Sequence, residues 1–281
     1  MKSNNPVFAR SEEFNRASSN AYGNQTYPAG GAGYPGYGES DPSQWGTGTP
    51  GQVDQGRMTV DSVVQKTAVS IALVFVAAFA TWWWIGDLTE TANLGRVGLL
   101  ATVGAGGAFL LSLVNSFKRV ISPGLVMAFA VAEGVALGAV SKLFEASYPG
   151  IVTSAVLGTF AAFAGTLTAY KVLNIQVGDK FRRGVVAGMF GMVGLGLLSL
   201  VLSFFGINTG VYGNGGIGFI FALAGLVLGV FMLILDFDYV EQGVAAGLPE
   251  RESWRAAFGL TVSLVWIYTN LLRILAILRG D

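Results

Sequence analysis

The sequence predicts an all-α integral membrane protein with seven transmembrane helices, and three observations carry that prediction. Of its 281 residues, 52% are hydrophobic and only 12% are charged, too apolar for a soluble domain of that length. From Arg57 onward the apolar residues fall into seven stretches of about twenty, the length that crosses ~30 Å of hydrocarbon at ~1.5 Å per residue. The connections between these stretches are short, so residues 57–281 read as one transmembrane domain with no room for a second folded unit.

The same composition excludes much chemistry. The chain has no cysteine and no histidine. That removes disulfides, thiol nucleophiles, zinc sites, His-ligated haem and hydrolase arrangements built on Ser/His or Cys/His pairs. A retinal pigment would need a Schiff-base lysine in the last span, and 256–277 contains none. No enzymatic activity and no cofactor are expected, beyond a transported ion such as calcium. Proton or cation work falls to Asp, Glu, Lys, Arg, Tyr or water. The net charge is zero, so nothing argues for a nucleic-acid partner.

Residues 1–56 form a separate leader rich in Gly, Asn, Ser, Tyr, Pro and Gln, as in the stretches from Tyr22 to Pro28 and Gly33 to Gly38. A segment without an apolar run cannot bury enough surface to offset its ordering entropy, so it is expected to be disordered. It lacks the layout of a signal peptide and is expected to be retained in the cytoplasm, either as a solvated leader or as a tail for membrane-protein partners.

Beyond it, Thr59 or Asp61 can cap a short helix that runs into the first span. The seven spans are 67–85, 97–115, 124–143, 151–173, 184–205, 217–235 and 256–277. Trp82, Trp83 and Trp84 close the first, where an aromatic belt belongs. Lys118 and Arg119 lie in the second connection, Lys171, Lys180, Arg182 and Arg183 in the fourth, and Arg251 and Arg255 in the sixth. The odd connections hold at most Arg96 and Lys142. By the positive-inside rule the N-terminus and the even connections are cytoplasmic and the C-terminus is outside.

Glycine is frequent, with 40 residues. Gly184 and Gly188 in span five, and Gly225 and Gly229 in span six, have the spacing that lets helix backbones approach closely, and 104–107 makes a smooth face in span two. All are expected to serve packing.

Polar groups inside the spans are costly in hydrocarbon and so are functional candidates. Glu133 lies roughly 15 Å into span three, near the midplane, where it should be neutral or paired. It is either a protonated carboxyl bonded to a neighbour or a group for cation or proton passage. Asn115 and Lys171 are expected at the interface, and Arg273 is expected to snorkel outward or to enter an internal ion pair.

The densest chemistry is Leu235 to Gly243, which places Asp236, Asp238 and Glu241 within six residues at the end of span six. If the helix continues, Asp238 and Glu241 share a face while Asp236 lies about 200° away from Asp238. One helix cannot aim all three carboxylates at one ion. A hard cation such as calcium, held by Asp236 and Glu241, would need further oxygens from a second helix. Span seven offers Thr261, Ser263, Thr269 and Asn270. The pattern itself leaves open a solvated helix end or a cation site.

Three motifs together resemble the Bax inhibitor-1 family, also called the transmembrane Bax inhibitor motif family, in its bacterial branch: 132–138 (Ala-Glu-Gly-Val-Ala-Leu-Gly), 235–243 (Leu-Asp-Phe-Asp-Tyr-Val-Glu-Gln-Gly), and Trp254 followed by 257–260 and 264–268. The resemblance implies a seven-helix bundle in the bacterial cytoplasmic membrane, with the last helix surrounded by the others. It also implies a pH-sensitive calcium leak, gated near the cytoplasmic mouth by an aspartate pair joining spans six and seven. Asp236 matches the span-six aspartate. Counting back from Arg273 places the usual span-seven aspartate at Ser263, and a related subfamily carries a glutamate at the position of Asn270. Neither is acidic here, so Asp238, Glu241 or Glu133 would have to replace the missing acid. The other expected reading is a non-conducting regulator or scaffold that binds envelope proteins or a membrane protease.

Overall fold

The computed structural model describes residues 56–89 and 91–280. The expected disorder of the leader therefore lies outside the described residues. Seven helices follow one another: α1 (Val60–Ile85), α2 (Thr91–Phe117), α3 (Pro123–Ser147), α4 (Ile151–Val172), α5 (Asp179–Phe204), α6 (Gly216–Ala245) and α7 (Glu252–Gly280). All seven are long and apolar enough to span a membrane. They match the seven expected spans and extend beyond most of them, because a helix does not stop where the hydrocarbon does.

Local signals set several ends. Thr59 is the N-cap of α1; its hydroxyl accepts from the Ser62 amide, and the Ser62 hydroxyl accepts from the Thr59 amide. Pro123 opens α3, where its missing N–H costs nothing. Gly247, with φ of 64°, turns the chain between α6 and α7.

The start of α1 is clipped to that turn. The Met58 amide donates to the Leu248 carbonyl at 2.7 Å and the Glu250 amide to the Gly56 carbonyl at 2.6 Å. Lys66 pairs with Glu250 at 2.7 Å, and the Ser62 and Ser253 hydroxyls meet at 2.6 Å. Met58 is buried beside Gly243, where a Cβ would come within 2.8 Å of its sulfur. The start of α1 and the α6–α7 connection therefore share one end of the bundle. Arg255 brings the α2–α3 connection to that end by donating to the Arg119 carbonyl at 2.9 Å.

Helix α7 is the most buried of the seven and packs against α1, α3, α4 and α6, which makes it the central helix. Phe129 of α3 meets Phe258 of α7 edge to face at 5.0 Å, and Phe163 of α4 meets Phe237 of α6 at 5.5 Å. Glycine seats the outer pairs. A Cβ at Gly104 of α2 would lie 2.6 Å from the Ala136 amide of α3, and a Cβ at Gly134 would lie 2.5 Å from the Val74 carbonyl of α1. The expected packing role of Gly104, Gly225 and Gly229 holds. Gly184 differs: among the described residues nothing lies within 4 Å of its Cβ position, and α5 packs on α6 alone.

Candidate functional site

Helix α6 runs straight through the acidic motif to Ala245, and the 100° step between residues then sends its polar side chains to different neighbours. Asp236 points at α7. Its Oδ2 accepts a hydrogen bond from the Ser263 hydroxyl at 2.5 Å, and Ser263 is almost fully buried. One turn earlier on α7, a Cβ at Gly259 would sit 2.7 Å from Asp236 Oδ1. Gly259 and Ser263 are i, i+4 on one face, so the first makes room for the carboxylate and the second binds it.

Asp238 turns the other way. It is buried, and its Oδ2 accepts from Arg182 of α5 at 2.9 Å and from Gln242 at 2.8 Å. Glu241 accepts from the Tyr170 hydroxyl of α4 at 2.8 Å. Tyr239 donates to Glu252 at 3.0 Å, and Glu252 also accepts from Arg255 at 2.7 Å. The motif thus ties α6 to α4 through Glu241, to α5 through Asp238, and to α7 through both Asp236 and Tyr239, the latter at the start of α7. Asp236 and Glu241, expected together as calcium ligands, bind different helices. Among the described residues no three acidic, histidine or cysteine side chains gather as a metal site.

Glu133 lies on α3 between Phe129 and Leu137, both buried. Phe129 meets Phe258 edge to face, and Ser141 is bonded to Tyr268 at 2.6 Å. Those two contacts fix the register of α3 against α7 and put Glu133 at about the depth of Ser263. Glu133 and Asp236 therefore stand level on different flanks of the central helix, and no hydrogen bond joins them among the described residues.

Of the two expected span-seven partners, Ser263 reaches Asp236 and Asn270 does not. The Asn270 amide donates to the Trp266 carbonyl at 2.8 Å and packs against Gly225, where a Cβ would collide with it. Gly225 is eleven residues from Asp236, roughly 16 Å along α6. Trp266 completes this second contact by donating from Nε1 to the Gly225 carbonyl at 2.8 Å. Arg273 does not snorkel free, and among the described residues it enters no ion pair. It donates to the Val211 carbonyl at 2.7 Å and lies over the Tyr212 ring at 5.1 Å, held by the α5–α6 connection. Asn115, expected at the interface, is buried and donates to the Leu125 carbonyl at 3.2 Å, linking α2 to α3.

Sequence reasoning missed Gly259, Trp266, Arg182 and Tyr170. Each acts across a helix interface, and only Gly259, four residues before Ser263, carried a signal of its own in the spacing.

A seven-helix membrane protein whose central last helix is latched to the sixth by a carboxylate and a hydroxyl is the class that this geometry defines. The family model described as Bax inhibitor 1 like matches residues 5–280, and the chain belongs to that family. No curated protein sequence matches it.

Proposed function

We propose that this protein is a pH-sensitive calcium leak of the bacterial cytoplasmic membrane, with the Asp236 end of the bundle facing the cytoplasm. The observation that carries the reading is the Asp236–Ser263 hydrogen bond in the niche left by Gly259, where α6 meets the central helix. Family membership supports the activity, and the Lys and Arg of the even connections support the orientation. The clip between the start of α1 and the α6–α7 turn favours a second reading, a non-conducting regulator, because a partner on residues 1–55 would pull on the same turn.

Opening requires α6 and α7 to part at Asp236. The hydroxyl partner changes how protons control that step. Two facing carboxylates share a proton and titrate as a pair, whereas a carboxylate bonded to serine titrates alone and keeps its hydrogen bond in either charge state. The pH response of this chain therefore follows one protonation step, where a two-carboxylate latch has two separated steps. Glu133, level with Asp236 on another flank of α7, supplies a second charge along a cation path.

Calcium entry into liposomes holding a calcium dye and the purified full chain tests this reading. Wild type should conduct above empty liposomes. Asp236→Asn should conduct without pH dependence, and Glu133→Gln should conduct several-fold less. Ser263→Asp should broaden the pH profile into the two steps of a coupled pair. Equal flux in all four proteins, none above empty liposomes, rejects the channel. Intact flux combined with loss of a cellular phenotype on deleting residues 1–55 supports the regulator.

A further inference from the structure

On the side of α7 away from α6, α1 and α4 do not pack against each other, and the gap holds a cavity of about 250 Å³. Val74 and Phe79 of α1, Leu137 of α3, Val156 of α4, and Leu264 and Val265 of α7 line it. Three hydroxyls reach it, and each is already engaged. Ser141 and Tyr268 bond each other at 2.6 Å, and Thr159 donates to the Ala155 carbonyl at 2.8 Å. None of these hydroxyls calls for a polar ligand or a water, and the wall is otherwise almost wholly apolar, the kind of surface that stays dry. It opens sideways past Phe75, Phe79 and Phe160, all well exposed, so membrane hydrocarbon reaches it directly.

One end of the crevice is charged. Trp82 closes it, and Lys142, one residue past Ser141, donates to the Trp82 carbonyl at 2.9 Å with its Nζ 5.7 Å from the indole centre. An ammonium carries three donors, and among the described residues no carboxylate pairs with this one. Glu145, one turn on, is occupied by the Gly150 and Val152 amides. Trp83 and Trp84 are exposed at the same level, which marks the polar interface of a bilayer. A cation at the interface above an apolar slot matches a molecule with a negative head and a hydrocarbon tail.

We propose that this crevice binds one anionic phospholipid, its acyl chain between α1 and α4 against Leu264 and Val265 and its phosphate at Lys142. The site lies on a different face of α7 from the Asp236 latch and does not depend on the leak reading. A chain held there touches the central helix itself, which ordinary boundary lipid does not reach.

Native mass spectrometry of the full chain, exchanged from detergent into phosphatidylglycerol or phosphatidylcholine, tests the proposal. Wild type should retain one phosphatidylglycerol. Val156→Trp, which fills the slot, should retain about tenfold less, and Lys142→Gln should lose about tenfold of the preference for phosphatidylglycerol over phosphatidylcholine. Undiminished retention in Val156→Trp overturns the proposal, as does displacement of the phospholipid by stoichiometric palmitate, which assigns the slot to a free fatty acid. A measurement on wild type alone guards against a variant that misfolds. Phosphatidylglycerol carrying a diazirine on its acyl chain should label Leu264 or Val265. Labelling confined to outward residues such as Leu197 and Leu200 of α5 also overturns it.

Discussion

Gly138 in α3 and Gly184 in α5 sit in similar small-residue patterns, yet the seams they belong to are opposites. A Cβ at Gly138 would lie 2.8 Å from the Ala78 Cα and closer still to the Ala78 carbonyl of α1. Among the described residues Gly184 meets nothing within 4 Å, and neither do Gly191 and Gly194 on the same helix. The α1–α3 seam is closed backbone to backbone. The α5–α6 seam leaves an apolar cleft along Phe181, Ile220 and Val227. In a bilayer, lipid competes on equal apolar terms with a neighbouring helix, so glycine spacing permits close approach without causing it. Helix α6 is therefore gripped firmly on its α7 side, through Ser263 and Trp266, and loosely on its α5 side. If α6 moves when the latch opens, the displacement that breaks fewest contacts carries α5 with it and leaves α1 and α3 in place.

The largest effect that can break this comparison is a single methyl group. Gly138→Ala drives a Cβ into the backbone of α1, which cannot rotate aside as a side chain would, and should cost about 3 kcal/mol. A melting curve in detergent would show it as a clear fall in transition temperature. An unchanged curve would mean that α1 and α3 are less tightly joined than their glycines indicate.

Next in size is the one polar tie between α5 and α6. Arg182→Met leaves the buried Asp238 carboxylate with Gln242 as its remaining partner. Losing one member of a buried pair is costly, and the half-exposed arginine halves that cost to about 2 kcal/mol. Replacing both residues, Arg182→Met with Asp238→Leu, should recover most of the loss, because the uncompensated charge has gone. Thermal melts of the two single variants and the double variant close the cycle. Equal losses in the double and the single arginine variant would show that the arginine stem, and not its charge, holds α5.

How much of this was legible follows from what each feature depends on. The seven spans depend only on the length of apolar runs, so these could be read directly; the local cap signal narrowed the start of α1 to Thr59 or Asp61, and the structure selects Thr59. Ser263 was found by counting back from Arg273, because register along a helix survives in sequence. Asn270 stood as an equal alternative until the structure placed it against Gly225, since the depth at which two helices cross is set by packing. The partners of Asp238 and Glu241 were hidden for a related reason. The 200° step showed that Asp238 and Asp236 diverge, but which neighbour stands at each azimuth depends on the arrangement of the whole bundle. The gap between α1 and α4 is likewise absent from any single helix, because it arises from two helices not meeting.

The smallest effect has the opposite sign. With open space around its Cβ position, Gly184→Ala removes only the glycine penalty in a helix interior and should stabilise α5 by a few tenths to about 1 kcal/mol. The same change at Gly138 should be strongly unfavourable, so the two substitutions form an internal control. Hydrogen exchange separates them most directly. Amides of α5 should exchange faster than those of α3 in the wild type, and Gly184→Ala should slow α5 alone. A destabilising Gly184→Ala would mean that another surface closes on that face in the membrane, and α5 would then be the helix through which this protein meets a partner.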